Sequence, residues 1–129
     1  MLDNQDHVVL VSELGKTWLI DLDGTVVKHN GYKTDGKDTF LEGAKEFLLS
    51  VSPEDVVIFL TSRTTEYARM TETFLEENGI RYDRIMYGLP YGERILVNDC
   101  KPRGLRTAIA VNTKRDQFMQ SQFRTDPEI

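Results

Sequence analysis

Two carboxylates one residue apart, Asp21 and Asp23, follow the apolar run Trp18-Leu19-Ile20 and precede Gly24-Thr25. A short branched and aromatic run that stops at a turn residue predicts a buried strand with the acids at its C-terminal edge. In an open parallel sheet that edge is where ligands bind. Extended geometry would put Asp21 and Asp23 on one face, and a turn at Gly24 can aim them apart. Acids this close, with no cation beside them in sequence, repel each other unless a metal ion or a shared proton intervenes. Magnesium is the economical choice, because hard cations take carboxylate and carbonyl oxygens. The plain alternative is an Asp/Gly turn that merely closes a strand.

Two further apolar runs end in similar chemistry. Residues 56–60, a continuous β-branched run, predict a strand covered on both sides and lead into Thr61-Ser62-Arg63. Residues 94–97 predict another that runs into Asn98-Asp99-Cys100-Lys101-Pro102, and 84–87 and 107–111 read as shorter strands. Between them, the apolar spacing at 40, 41, 44, 47, 48 and 51 predicts a helix with one buried face, stopped by Pro53. A second helix is predicted over about 66–77, with Tyr67, Met70, Phe74 and Leu75 near one face and Asn78-Gly79 as its stop. Strand and helix alternate, the rhythm of a mostly parallel sheet flanked by helices. Ends of parallel strands lie side by side, so Asp21, Asp23, Thr61, Arg63, Asn98, Asp99 and Lys101 are expected to converge on one pocket. The polar, glycine-punctuated stretch 26–36 reads as a small β-hairpin flap, from which Lys28, His29 and Lys33 could reach a ligand. Val8–Val11 is either a strand in a hairpin with the 17–21 strand or a loose arm, and the tail 112–129 reads as part helix, part frayed terminus.

Asp21-Leu22-Asp23-Gly24-Thr25 resembles the first motif of the haloacid dehalogenase superfamily, the Asp-x-Asp-Gly-Thr phosphatases, and segments at Thr61 and at Asn98-Asp99 resemble its second and fourth motifs. The resemblance covers roughly residues 16–111 and implies a single Rossmann-like α/β core. It implies that Asp21 is a nucleophile that becomes an aspartyl-phosphate. By the same resemblance Asp23 would protonate the leaving oxygen and then activate water. Thr61 would donate to a phosphoryl oxygen, and Mg2+ would be held by Asp21, the Asp23 carbonyl and Asp99. Thr61, Ser62 and Thr64 would each also serve as a helix N-cap. Ser62 and the fork of Arg63 are candidate substrate contacts.

The third motif departs from the pattern. Small members of the superfamily place a charge-screening lysine in a Gly-Lys-Pro turn, which here reads Gly88-Leu89-Pro90, and no lysine occurs from Thr61 to Asp99. Lys101 is the first replacement, because it follows the strand edge that carries the acids; Arg94, at the start of its predicted strand, is the second. Cys100 reads as a small packed residue. Neither gap between motifs holds a cap domain, so an open site is expected, one that takes bulky substrates or borrows a wall from a second copy of the chain.

Composition narrows the classes. A chain of 129 residues suits one domain with one core, and a net charge of −5 counts against a broad nucleic-acid footprint. The acidic start is the reverse of a secretory signal, no apolar stretch approaches a membrane span, and a single cysteine forbids an internal disulfide, so a cytoplasmic protein is expected. The leading expectation is a magnesium-dependent phosphomonoesterase for a small phosphorylated metabolite, a sugar or polyol phosphate of carbohydrate or surface-polysaccharide synthesis by analogy. A polynucleotide end phosphatase and a non-catalytic phosphate-binding module are the alternatives.

Overall fold

Alternation along the strands decides which face of the sheet is covered. In the computed structural model, which describes residues 8–129, β2 (Thr17–Asp21), β3 (Val56–Leu60) and β4 (Arg84–Met86) form a parallel sheet in the order β2-β3-β4. Register sets Ile20 beside Phe59 and Phe59 beside Ile85, and this row faces the core. The neighbouring row of Leu19, Ile58 and Arg84 points the other way, and Leu19 stays 47% exposed. The strand at 56–60 is therefore not buried on both sides. Helices α2 (Ala44–Ser50) and α3 (Ala68–Glu77) contribute Ala44, Leu48 and Leu75 to the same cluster as Val57 and Phe59, so the covered face takes both.

Both helices follow from their sequences with small shifts. Helix α2 starts later than its apolar spacing implies, because Gly43 takes a left-handed φ of 86° as its N-cap and Phe40 bridges to Val27 instead. A 3-10 turn at Thr65–Tyr67 leads into α3, which stops at Asn78 with Gly79 at φ 74°, as the Asn-Gly pair predicts. Of its predicted apolar face Leu75 is buried, and Met70 is 38% exposed.

The N-terminal strand β1 (Val8–Val11) does not form a hairpin with β2. It pairs in parallel with β5 (Gln122–Thr125), a strand drawn from the segment expected to fray. Aromatic packing is the reason: Trp18 lies edge-on to both Phe47 and Phe123, and Phe118 packs against Phe47 in the core. Apolar surface buried by these rings outweighs the polar composition that made the tail look frayed. Phe118→Ala is accordingly expected to cost about 3 kcal/mol of stability by urea denaturation, the usual penalty for emptying a buried aromatic site.

Three other expectations are corrected. Residues 26–36 form no β-hairpin flap: Val26 and Val27 are fully buried, and a four-residue helix α1 (Gly31–Thr34) follows. The apolar triplet at 95–97 carried the strand expectation, but Ile95 and Val97 are 84% and 88% exposed and no strand forms there. Nor does one form at 107–111. Neither segment finds a neighbouring strand in either sheet, and the loop around 101 closes on itself through Lys101 N–H to the Leu105 carbonyl and Gly104 N–H to the Lys101 carbonyl. The acidic start lies outside the described residues. Among those described, no helix is long and apolar enough to cross a membrane. The architecture is a small α/β domain of parallel sheets flanked by helices.

Candidate active site

The aligned ends of β2 and β3 bring the two sequence-distant motifs together. The ladder continues past both strands, with Leu22 N–H donating to the Leu60 carbonyl and Thr61 N–H to the Met86 carbonyl. The chain after β2 then curls tightly: the amides of Val26 and Val27 both donate to the Leu22 carbonyl, and Gly24 takes a φ of 79° that an L side chain would resist. Asp21 and Asp23 open onto a cleft of about 340 Å³ that Ser62, Arg63 and Arg94 also line.

The two acids have different surroundings. Asp21, with its side chain 36% exposed, accepts from the Thr25 hydroxyl at 2.7 Å and from Arg94 Nη1 at 2.7 Å. Asp23 is more enclosed. Its Oδ2 accepts from Thr61 Oγ1 at 2.7 Å, and its Oδ1 accepts from Arg63 Nε at 3.0 Å and forms an ion pair with Nη2 at 2.9 Å. Thr61 Oγ1 in turn accepts the Arg63 amide, so its one hydroxyl proton is directed at Asp23 rather than at an incoming oxygen.

Arg63 is the hub of this arrangement. It is 3% exposed, and its remaining donors reach Asp38 Oδ1 and Oδ2 at 2.7 and 3.0 Å and the Thr71 hydroxyl at 2.9 Å. Its guanidinium carbon lies 3.9 Å from the centroid of the Tyr32 ring. Four hydrogen bonds and the ion pair with Asp23 tie this guanidinium into the protein, so Arg63 holds Asp23 in place rather than offering its fork to a substrate. Burial works against its charge, but the hydrogen bonds and charges of Asp38 and Asp23 outweigh burial and hold its pKa above the usual arginine value.

Of the two candidates for the missing lysine, Arg94 is the one against Asp21. Lys101 is exposed, lies outside the cleft, and belongs to the self-closed loop described above. Asp99 is exposed as well, with its carbonyl accepting from the Thr107 hydroxyl. The reason is the missing strand: without residues 94–97 in the sheet, nothing carries 99 and 101 to the edge where Asp21 sits. Cys100 is exposed, not packed.

The expected magnesium trio is not assembled. Among the described residues no group of three or more His, Cys, Asp or Glu side chains is placed to hold a metal ion. Asp99 does not line the cleft, and both carboxylate oxygens of Asp21 already accept from protein donors.

Several residues at the site carry no signal in the sequence pattern. Asp38, the buried partner of Arg63, sits in a stretch that reads as surface loop. From the tail, Asp116 donates its amide to the Gly24 carbonyl at 2.8 Å and accepts the His29 amide on Oδ1 at 2.7 Å, clasping the turn after Asp23. Arg115 and His29 then flank Gly24, the nearest atom of each lying 3.5 to 3.6 Å from where a Cβ would stand. Of the three basic candidates at 26–36, His29 and Lys33 line the cleft, whereas Lys28 pairs with Asp35 at 2.9 Å. Searches against protein-family models, curated proteins and solved structures find no match to this chain.

Proposed function

We propose that this chain is a phosphomonoesterase of the haloacid dehalogenase type, without a cap, acting on a small phosphorylated metabolite. The observation that carries the reading is the contrast between the two acids: Asp21 faces an open cleft beside a guanidinium, while Asp23 is held from behind by Thr61 and Arg63. An anionic nucleophile can approach an anionic phosphoryl group only if positive charge lies between or beside them. Arg94 supplies it here, and a carboxylate oxygen that accepts one hydrogen bond keeps a second lone pair for attack.

The steps follow from these positions. Asp21 attacks phosphorus, the ester oxygen leaves, and Asp23 donates the proton that the leaving alkoxide needs. Water then enters on the phosphorus of the aspartyl-phosphate, Asp23 takes its proton, and inorganic phosphate departs with Asp21 restored. Magnesium, when bound, would supply neutralisation of the phosphate charge. The sugar or polyol phosphate of carbohydrate or surface-polysaccharide synthesis remains the substrate class by analogy.

Release of p-nitrophenol from p-nitrophenyl phosphate, with and without added magnesium, is the direct test; no turnover under either condition overturns the enzyme reading. Arg94→Gln is expected to lower kcat about 100-fold, the usual effect of removing one donor from a developing anion. Unchanged kcat in that variant would remove Arg94 from the mechanism. A second reading, a phosphate-binding module without turnover, draws on one feature: both Asp21 oxygens already accept from Arg94 and Thr25. Phosphate binding by calorimetry in a protein that hydrolyses nothing would favour it.

A further inference from the structure

The cleft contains more positive charge than its acids neutralise. Arg63 is matched by Asp23 and Asp38, and Arg94 by Asp21. Lys33 and Arg115 line the same cleft, and among the described residues neither forms an ion pair with a carboxylate. In a chain of net charge −5, two unmatched cations sharing one concave site form a local field of the opposite sign to the whole.

Their placement is built, not incidental. Asp116 holds a left-handed φ of 64°, uncommon for a residue with a side chain. It is kept there by its N–H, which donates a hydrogen bond to the Gly24 carbonyl, and by the His29 amide donating to its carboxylate. Backbone strain of this kind persists where surrounding structure over-determines it, and functional sites are where it collects. Its effect here is to bring Arg115 and His29 against Gly24, directly after Asp23. Lys33 stands on the other contributing segment, its Nζ 5.6 Å from the centroid of the Tyr32 ring.

We propose that Lys33, Arg115 and the His29 imidazole form a second anion subsite, so that the substrate is a phosphomonoester carrying one further anionic group, a carboxylate or a second phosphate. The proposal rests on the phosphatase reading for which end of the substrate reacts, but not for its binding. A cleft of about 340 Å³ is of the size that takes a phosphorylated sugar acid or sugar bisphosphate. The second anion replaces the carboxylate partners that Lys33 and Arg115 lack, through charge-assisted hydrogen bonds.

Glucose 6-phosphate, 6-phosphogluconate and glucose 1,6-bisphosphate separate the cases, since the latter two add a carboxylate or a phosphate to similar bodies. The expected result is a kcat/KM at least about tenfold higher for one of the doubly anionic compounds than for glucose 6-phosphate, a difference typical of one added charge-assisted contact. Which one is preferred identifies the second group. Lys33→Gln and Arg115→Gln should each reduce that ratio, and the double variant should bring it to about one. Equal use of all three compounds by the unaltered protein, or a preference that survives the double variant, overturns the subsite while leaving the phosphatase reading intact. If none is hydrolysed, turnover of p-nitrophenyl phosphate still decides the phosphatase reading, and calorimetric affinities for the same three compounds decide the subsite. A preference that the double variant abolishes supports the subsite, and equal affinities or no binding overturn it.

Discussion

Asp21→Asn lowers kcat for p-nitrophenyl phosphate by at least about a thousandfold, because it removes the attacking oxygen and leaves only binding and charge stabilisation, as loss of a nucleophile does elsewhere. The change is nearly isosteric. The carboxamide keeps an oxygen that can accept from Thr25 or Arg94, so urea denaturation should find the variant about as stable as its parent, within about 1 kcal/mol. Acid-quenched protein incubated with labelled phosphoester should carry label on Asp21 in the parent and none in the variant. Activity within tenfold of the parent would contradict the assigned nucleophile, whatever the fate of the fold.

The largest loss of stability is expected from Arg63→Met. Asp38 has 1% of its side chain exposed and Asp23 15%, and both would lose the guanidinium that offsets their removal from water. Removing one partner of a buried ion pair typically costs about 3–5 kcal/mol. That is a large share of the 5–15 kcal/mol or so that holds an ordinary domain together. The double variant Arg63→Met, Asp38→Leu removes the most enclosed carboxylate as well and should lose less than the sum of the single changes. Additive losses in urea titrations would mean that Asp38 and Arg63 do not act as a unit. Arg63→Lys is informative in a different way: one ammonium cannot replace the guanidinium's four directed hydrogen bonds, so Asp23 should become less well oriented even where the charge is retained.

These two residues also mark what could and could not be foreseen from the chain. The run at 18–20, the acids after it, and the convergence of Thr61 and Arg63 with them were legible, because period and punctuation identify parallel strands and the ends of neighbouring strands must meet. That Asp38, Thr71 and Tyr32 would take up Arg63 was not, because nothing in a polar loop or on one helical position signals a partner across the fold. Apolar residues at 95–97 misled for a related reason. A short β-branched run states that a strand is affordable locally, whereas a strand forms only where a neighbour accepts its backbone hydrogen bonds. In this protein residues 95–97 join neither sheet, although β2 and β4 are both edge strands, and Asp99 and Lys101 stay away from Asp21 as a result.

Local order was therefore written in the chain itself: the strand before Asp21, the strand before Thr61, the helix that ends at Asn78-Gly79, and the pair of acids at a sheet edge. Tertiary structure alone decided which cation meets which carboxylate, that Arg94 and not Lys101 faces Asp21, and that a polar tail would return as β5 with Phe118 in the core. The physical reason is one of range. Side-chain periodicity and turn chemistry act over a few residues, while charge pairing and burial depend on distances through space between residues tens of positions apart.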